Sequence, residues 1–131
     1  MAALIGGVAL LVAVVVVPKL VRGVTAPVGA ANTFLGLMRD GRTAEAYGLL
    51  CAEAQQTMTP DQFAAEMSAQ TEREGQLQSF DVYGSFVEFN SGTSIVDYRG
   101  HASKAGSFER EARLLREDGQ WRWCGSREQT D

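Results

Sequence analysis

The chain has 131 residues, 12 basic and 16 acidic, for a net charge of −4. Setting aside residues 1–26, which carry Lys19 and Arg22 and no acid, leaves a body near −6. That length suits one core and not two. An acidic body without a basic run excludes a nucleic-acid grip, which needs clustered Lys or Arg against phosphate, and a grip on anionic lipid by the body itself.

Ala2 to Val17 holds no polar or charged side chain. A bilayer span takes about 20 residues. Leu20, Val21 and Val24 extend the stretch if Lys19 and Arg22 snorkel to the headgroups. The segment is apolar on every face, unlike a core helix, and no Lys or Arg precedes it, unlike a signal peptide. The only A-x-A-like site is Val24-Thr25-Ala26, followed by Pro27. An uncleaved single-pass anchor at residues 2–24 is therefore preferred over a cleaved leader. Residues 1–26 are read as anchor and linker, and 27–131 as the domain. Lys19 and Arg22 on the domain side argue for a cytoplasmic domain by the positive-inside rule.

Val28, Ala31, Leu35 and Met38 recur at helical spacing, with Pro27 in the first turn and Asp40-Gly41 as the stop. Thr43 is placed to cap a second helix, with Tyr47, Leu50, Cys51 and Ala54 along one face and Cys51 near its end. Thr59-Pro60-Asp61-Gln62 is a capping box with Pro at the first helical position. It opens a third helix that shows Phe63, Met67 and Gln70 on one face and stops at Gly75.

Beyond Gly75 the period becomes two. Phe80 and Val82 alternate with polar neighbours, and so do Val87 and Phe89, one step out of phase across Tyr83-Gly84. That slip predicts a β-bulge in one long strand. Asn90-Ser91-Gly92 turns, and Ser94–Ser103 forms a second strand with Val96, Tyr98, Gly100 and Ala102 on one face. Lys104-Ala105-Gly106 turns again before a third strand at Phe108–Arg116. Glu117-Asp118-Gly119 makes a hairpin to a fourth at Gln120–Gly125, with a frayed tail after Arg127. Helices first and strands second predict an α+β fold: three helices on one face of a four-stranded antiparallel meander.

Three stretches in this order carry a family resemblance. They are Ala26-Pro27 to Phe34-Leu35, Ala46-Tyr47 to Leu49-Leu50-Cys51, and the closing Leu114-Leu115-Arg116-Glu117-Asp118-Gly119-Gln120-Trp121-Arg122-Trp123. Over about residues 27–126 the chain resembles the cystatin-like, nuclear-transport-factor-two-like superfamily, and within it small membrane-anchored bacterial members of uncharacterised function. The resemblance implies a curved sheet wrapped around the helices as a cone with an apolar pocket. Relatives of this fold often dimerise through the exposed sheet face, so the resemblance also implies a possible homodimer, which the outward-facing residues here neither require nor exclude. The superfamily includes enzymes, adaptors and domains without known ligand, so the fold alone assigns no activity.

In such a cone Cys51 and Cys124 can meet. Their bond would close a long loop and contribute about 4 kcal/mol in the chain-entropy model. The bland reading is two buried free thiols. With an anchor the disulfide is preferred, and it favours an extracytoplasmic domain. Two cysteines with no histidine at ligand spacing make no zinc site, and the isolated glycines make no phosphate loop, so neither metal nor cofactor is expected.

His101 is the only histidine. With Asp97 and Arg99 it shares one strand face, where an acid–base pair of an isomerase or hydratase would have to sit. No nucleophile–base motif supports that, and a solvated surface histidine is preferred. Tyr47, Tyr83, Tyr98, Trp121 and Trp123 are the candidate pocket residues, with core packing as the bland reading. Arg110, Arg113 and Arg116, interleaved with Glu109 and Glu111, read as exposed cross-strand pairing. No catalytic residue is assigned. The expected function is a membrane-tethered, non-enzymatic module for a protein partner or a small apolar ligand. The alternatives are a cone-pocket enzyme and a structural envelope protein.

Overall fold

The computed structural model describes residues 27–88 and 90–129. The anchor expected at residues 2–24 and the strand position of Phe89 lie outside them. No helix among the described residues is long and apolar enough to cross a membrane.

Helix α1 runs over residues 27–39 and buries Ala31, Phe34 and Leu35, as its apolar spacing requires. The expected second helix is broken. It consists of α2 (Thr43–Tyr47) and α3 (Ala52–Thr57), so among the described residues four helical segments stand where three were expected. The cause is tertiary. Leu50 makes a parallel bridge with Trp123. The Trp123 N–H donates to the Leu49 carbonyl at 3.0 Å, and the Cys51 N–H donates to the Trp123 carbonyl at 2.9 Å. Backbone groups committed to a sheet edge cannot also continue a helix. Cys51 therefore stands as the extended N-cap of α3 rather than at the end of α2. Thr43 does not cap, since Arg42 holds that position without a side-chain bond. Instead the Glu117 carboxylate reaches across from the far hairpin and accepts the Ala52 N–H at the start of α3.

Helix α4 (Pro60–Glu74) begins on the expected capping box: Thr59 accepts from the Gln62 N–H, and the Gln62 side chain accepts from the Thr59 N–H. It ends at Gly75, whose φ of 86° suits a residue without Cβ. The next hairpin fixes that end, because the Lys104 and Ala105 N–H groups both donate to the Glu74 carbonyl.

The strands are β1 (Leu77–Glu88), β2 (Thr93–Ala102), β3 (Gly106–Glu117) and β4 (Gln120–Glu128), paired in that order and all antiparallel. The register of β1 against β2 slips between Val82 and Gly84, which makes Tyr83 the extra residue of the expected bulge. Ser94, Val96, Tyr98, Gly100 and Ala102 form the buried face of β2. The β3–β4 turn is a two-residue Asp118-Gly119 loop with φ of 52° and 76°, the backbone that a tight hairpin with native twist needs. β4 runs past its expected end, since Glu128 still pairs with Arg110. The tail expected to fray after Arg127 is held at Gln129, which donates to the Tyr83 hydroxyl and to Asp97.

The core lies between the helices and the inner sheet face. Trp123 stacks on Phe34 at 4.3 Å and meets Tyr98 at 5.7 Å, with Val96, Ala112 and Leu114 around them. Cys51 and Cys124 are bonded, with Cα atoms 5.2 Å apart and a sequence separation of 73. The bond ties the α3 cap to the sheet edge that broke the second helix. A disulfide persists where thiols are not kept reduced, so it points to an oxidising, extracytoplasmic environment.

Candidate functional site

Between α1, α4 and the inner sheet face lies a cavity of about 700 Å³. Half-buried side chains from α4 and the sheet, Met67, Gln70, Glu74 and Phe108 among them, face this space instead of closing it. One wall is apolar, made by Phe34, Leu35 and Met38 of α1, Met58, and Phe63 and Met67 of α4. The floor is aromatic: Trp123, Tyr98 and Phe108, with Tyr98 and Phe108 edge to face at 6.4 Å. The far wall is polar, with Gln70, Glu74, Arg110, Ser126 and Glu128.

Arg110 organises that polar wall. It lies opposite Tyr98 in the sheet and shares strand parity with the buried Ala112 and Leu114, so it points inward. Its side chain is only 13% exposed. One guanidinium nitrogen donates to Glu74 of α4, and Nε donates to Glu128 at 2.8 Å. The guanidinium carbon lies 4.2 Å from the Phe108 ring centroid. Burial would lower its pKa, but the bonds and charges of Glu128 and Glu74 outweigh that and raise it. Burial likewise pushes Glu74 up, while hydrogen bonds from Gln70 and Arg110 and the charges of Arg110 and Arg73 bring its carboxyl below the ordinary value. Tyr98 is raised, chiefly by burial and further by the Glu128 charge, against the pull of Ser126 and Arg110. At neutral pH the wall therefore presents a charged Arg110 guanidinium, the Glu74 carboxylate and a neutral Tyr98 phenol.

Of the residues singled out in the sequence, Tyr98 and Trp123 line the cavity together with Cys124. Tyr47 packs on Phe63 at 5.8 Å, and its hydroxyl donates to the Gln55 and Met58 carbonyls, pinning α2, α3 and the start of α4 together. Trp121 is half-buried against the core and does not line the cavity. Tyr83 is 41% exposed, with the Arg99 guanidinium 4.2 Å over its ring. Asp97, Arg99 and His101 sit on the outer sheet face, away from the cavity. His101 is exposed, with Nδ1 3.2 Å from the Ser107 hydroxyl. The arginine-rich strand divides between the two faces. Glu111 pairs across the sheet with Arg127, and Arg113 lies 3.5 Å from Glu53, both with exposed partners. Arg110 departs from the expected exposed pairing because its parity turns it inward.

Sequence reading missed Arg110, Glu74, Gln70 and the methionines. Parity was the available signal for Arg110, since Phe108, Ala112 and Leu114 two and four positions away are all inward. Glu74 had none, because its partner lies 36 positions away. Among the described residues no group of His, Cys, Asp and Glu is placed to hold a metal.

No protein-family model and no curated protein matches the chain. Solved structures do match. The SEC-C-motif-containing protein RPA3114 of Rhodopseudomonas palustris is similar at a TM-score of 0.63 and 12% identity, over 79% of each chain. A Campylobacter jejuni protein described as an NTF2-like transpeptidase is similar at 0.55 and 15%, over 76% of this chain and 98% of its own. Aln2 of a Streptomyces species is similar at 0.54 and 18%, over 83% and 88%. At these identities the likeness speaks for the fold. The described residues adopt the NTF2-like fold, a bent antiparallel sheet folded over helices around an inward cavity.

Proposed function

We propose that the chain is a membrane-tethered, non-enzymatic binding module whose cavity takes a small, largely apolar ligand. One observation carries this reading. The cavity of about 700 Å³ sets aromatic and aliphatic side chains, Phe34, Met38, Phe63, Met67, Tyr98 and Trp123 among them, beside polar groups gathered about Arg110. That is the usual make-up of a small-molecule site, which spans about 300–1,000 Å³. The tether rests on the sequence of Ala2 to Val17, and the extracytoplasmic side on the disulfide. The enzyme alternative through Asp97 and His101 loses support from their position on the outer face, away from this cavity.

The test is to purify the full chain from native membranes and identify co-purifying small molecules by mass spectrometry, beside a Met67→Trp variant that fills the cavity. A small apolar molecule that accompanies the native chain and is lost from the variant supports the reading. An empty cavity with a stoichiometric protein partner would favour the interaction module instead. Turnover of a bound compound would restore the enzyme alternative.

A further inference from the structure

We infer that the ligand is an amphiphile with a long apolar chain and a single carboxylate head, and that the head takes the place of Glu128 on Arg110. This rests on the cavity being the binding site. Three observations meet in it.

The first concerns the apolar wall. Met38, Met58 and Met67 are the only methionines after Met1, and all three line this one space. Methionine is unbranched and polarizable, and it serves surfaces that must fit a partner of variable shape. A rigid planar ligand would be met better by branched aliphatic side chains in fixed rotamers. A flexible alkyl chain suits methionine.

The second is charge. Arg39 and Arg127, which also line the cavity, are already paired with Asp40 and Glu111. Arg110 is instead turned into the space, with its side chain only 13% exposed. A guanidinium so placed draws in an anionic head and repels a cationic one.

The third is the inequality of the two acids on Arg110. Glu74 is 25% exposed, is bonded by Gln70, and stands at a helix end whose carbonyl is clamped by the next hairpin. Glu128 is 66% exposed at the last residue of the last strand. A pair with so exposed a partner contributes little, so Glu128 can turn to solvent at small cost. Arg110 is mostly buried and has five N–H donors, of which Glu74 needs only part. A carboxylate arriving from the cavity side would meet a fork already oriented, in a drier place than Glu128 occupies, where charge-assisted bonds are stronger. Glu128 then acts as a stand-in that keeps Arg110 paired while the cavity is empty.

The experiment is photo-crosslinking of the full chain with a long-chain fatty acid bearing a diazirine and with the matching fatty alcohol, adducts being mapped by mass spectrometry. Only adducts on cavity peptides are scored, so labelling of residues 2–24 does not count. The acid should label the cavity about tenfold more efficiently than the alcohol, as a charge-assisted bond to a guanidinium implies. Arg110→Gln should erase that preference, the acid falling to the level of the alcohol on the same variant. Glu128→Gln, at an exposed site that should not disturb folding, should raise acid labelling about threefold by removing the competitor. Equal labelling by acid and alcohol, indifferent to Arg110→Gln, would overturn the carboxylate while leaving the cavity as a site. No effect or a decrease with Glu128→Gln would overturn the exchange. Labelling of cavity peptides by neither probe would overturn this inference and leave the proposed function to the co-purification result.

Discussion

Trp123 joins three parts of this molecule. It stacks on Phe34 of α1, touches Tyr98 of β2, and its backbone carries the bridge that holds Leu49 to Cys51 against the sheet. Trp123→Ala would remove a side chain only 6% exposed and open a hole beside a cavity. The expected loss is about 3–5 kcal/mol in urea unfolding, since the neighbours cannot collapse into so large a gap. Tyr98 makes a separate prediction. Burial holds its phenol above the usual value. Alkaline titration followed by ultraviolet absorbance should show a tyrosine phase above the ordinary value, and Tyr98→Phe should remove it. Tyr98 holds its proton more tightly when folded, so the stability it supports is complete below its unfolded pKa and is lost as pH rises through the folded one.

At the scale of elements, local chemistry decides where a segment's partners are its own neighbours. The α4 start is such a case. Thr59→Ala would leave one helix N–H without its side-chain acceptor, and stability should drop by about 1 kcal/mol by chemical denaturation. The bulge at Tyr83 is another, because the phase slip between Val82 and Val87 can be met only by an extra residue in the pairing. The stretch from Gly48 to Cys51 is the opposite case. Its apolar spacing is helical, yet the open edge of β4 takes its backbone bonds and the helix splits in two. A covered edge also protects the sheet from pairing with another chain.

For the molecule as a whole, the disulfide and the Arg110 cluster tie distant parts together. Opening a cross-link between residues 73 positions apart frees the unfolded chain, and reduction should cost about 2–4 kcal/mol, read as a lower melting temperature. Cys51→Ser/Cys124→Ser should show the same loss and no further response to reductant. The Arg110 cluster sets an acid limit. The Glu74 carboxyl is held below its ordinary value of 4.5, so its stabilisation is complete above that pH and is lost as pH falls through the folded pKa. The difference in urea midpoint between the native chain and Glu74→Gln should therefore be largest at neutral pH and shrink below about 4.5.

By itself the sequence determined the order of helices before strands, the capped start of α4, the bulge in β1, the inward face of β2 and the Asp118-Gly119 hairpin. Each follows from side-chain chemistry or periodicity within a few residues, which acts the same way in any fold. Tertiary structure decided what depends on a partner far along the chain. It split the second helix on the backbone of Trp123, and it brought Cys51 to Cys124. It also turned Arg110 toward Glu74 and gathered Met38, Met58 and Met67 around one cavity. A cavity is space left between elements, and no residue's own pattern records how far its neighbour across the core will stand.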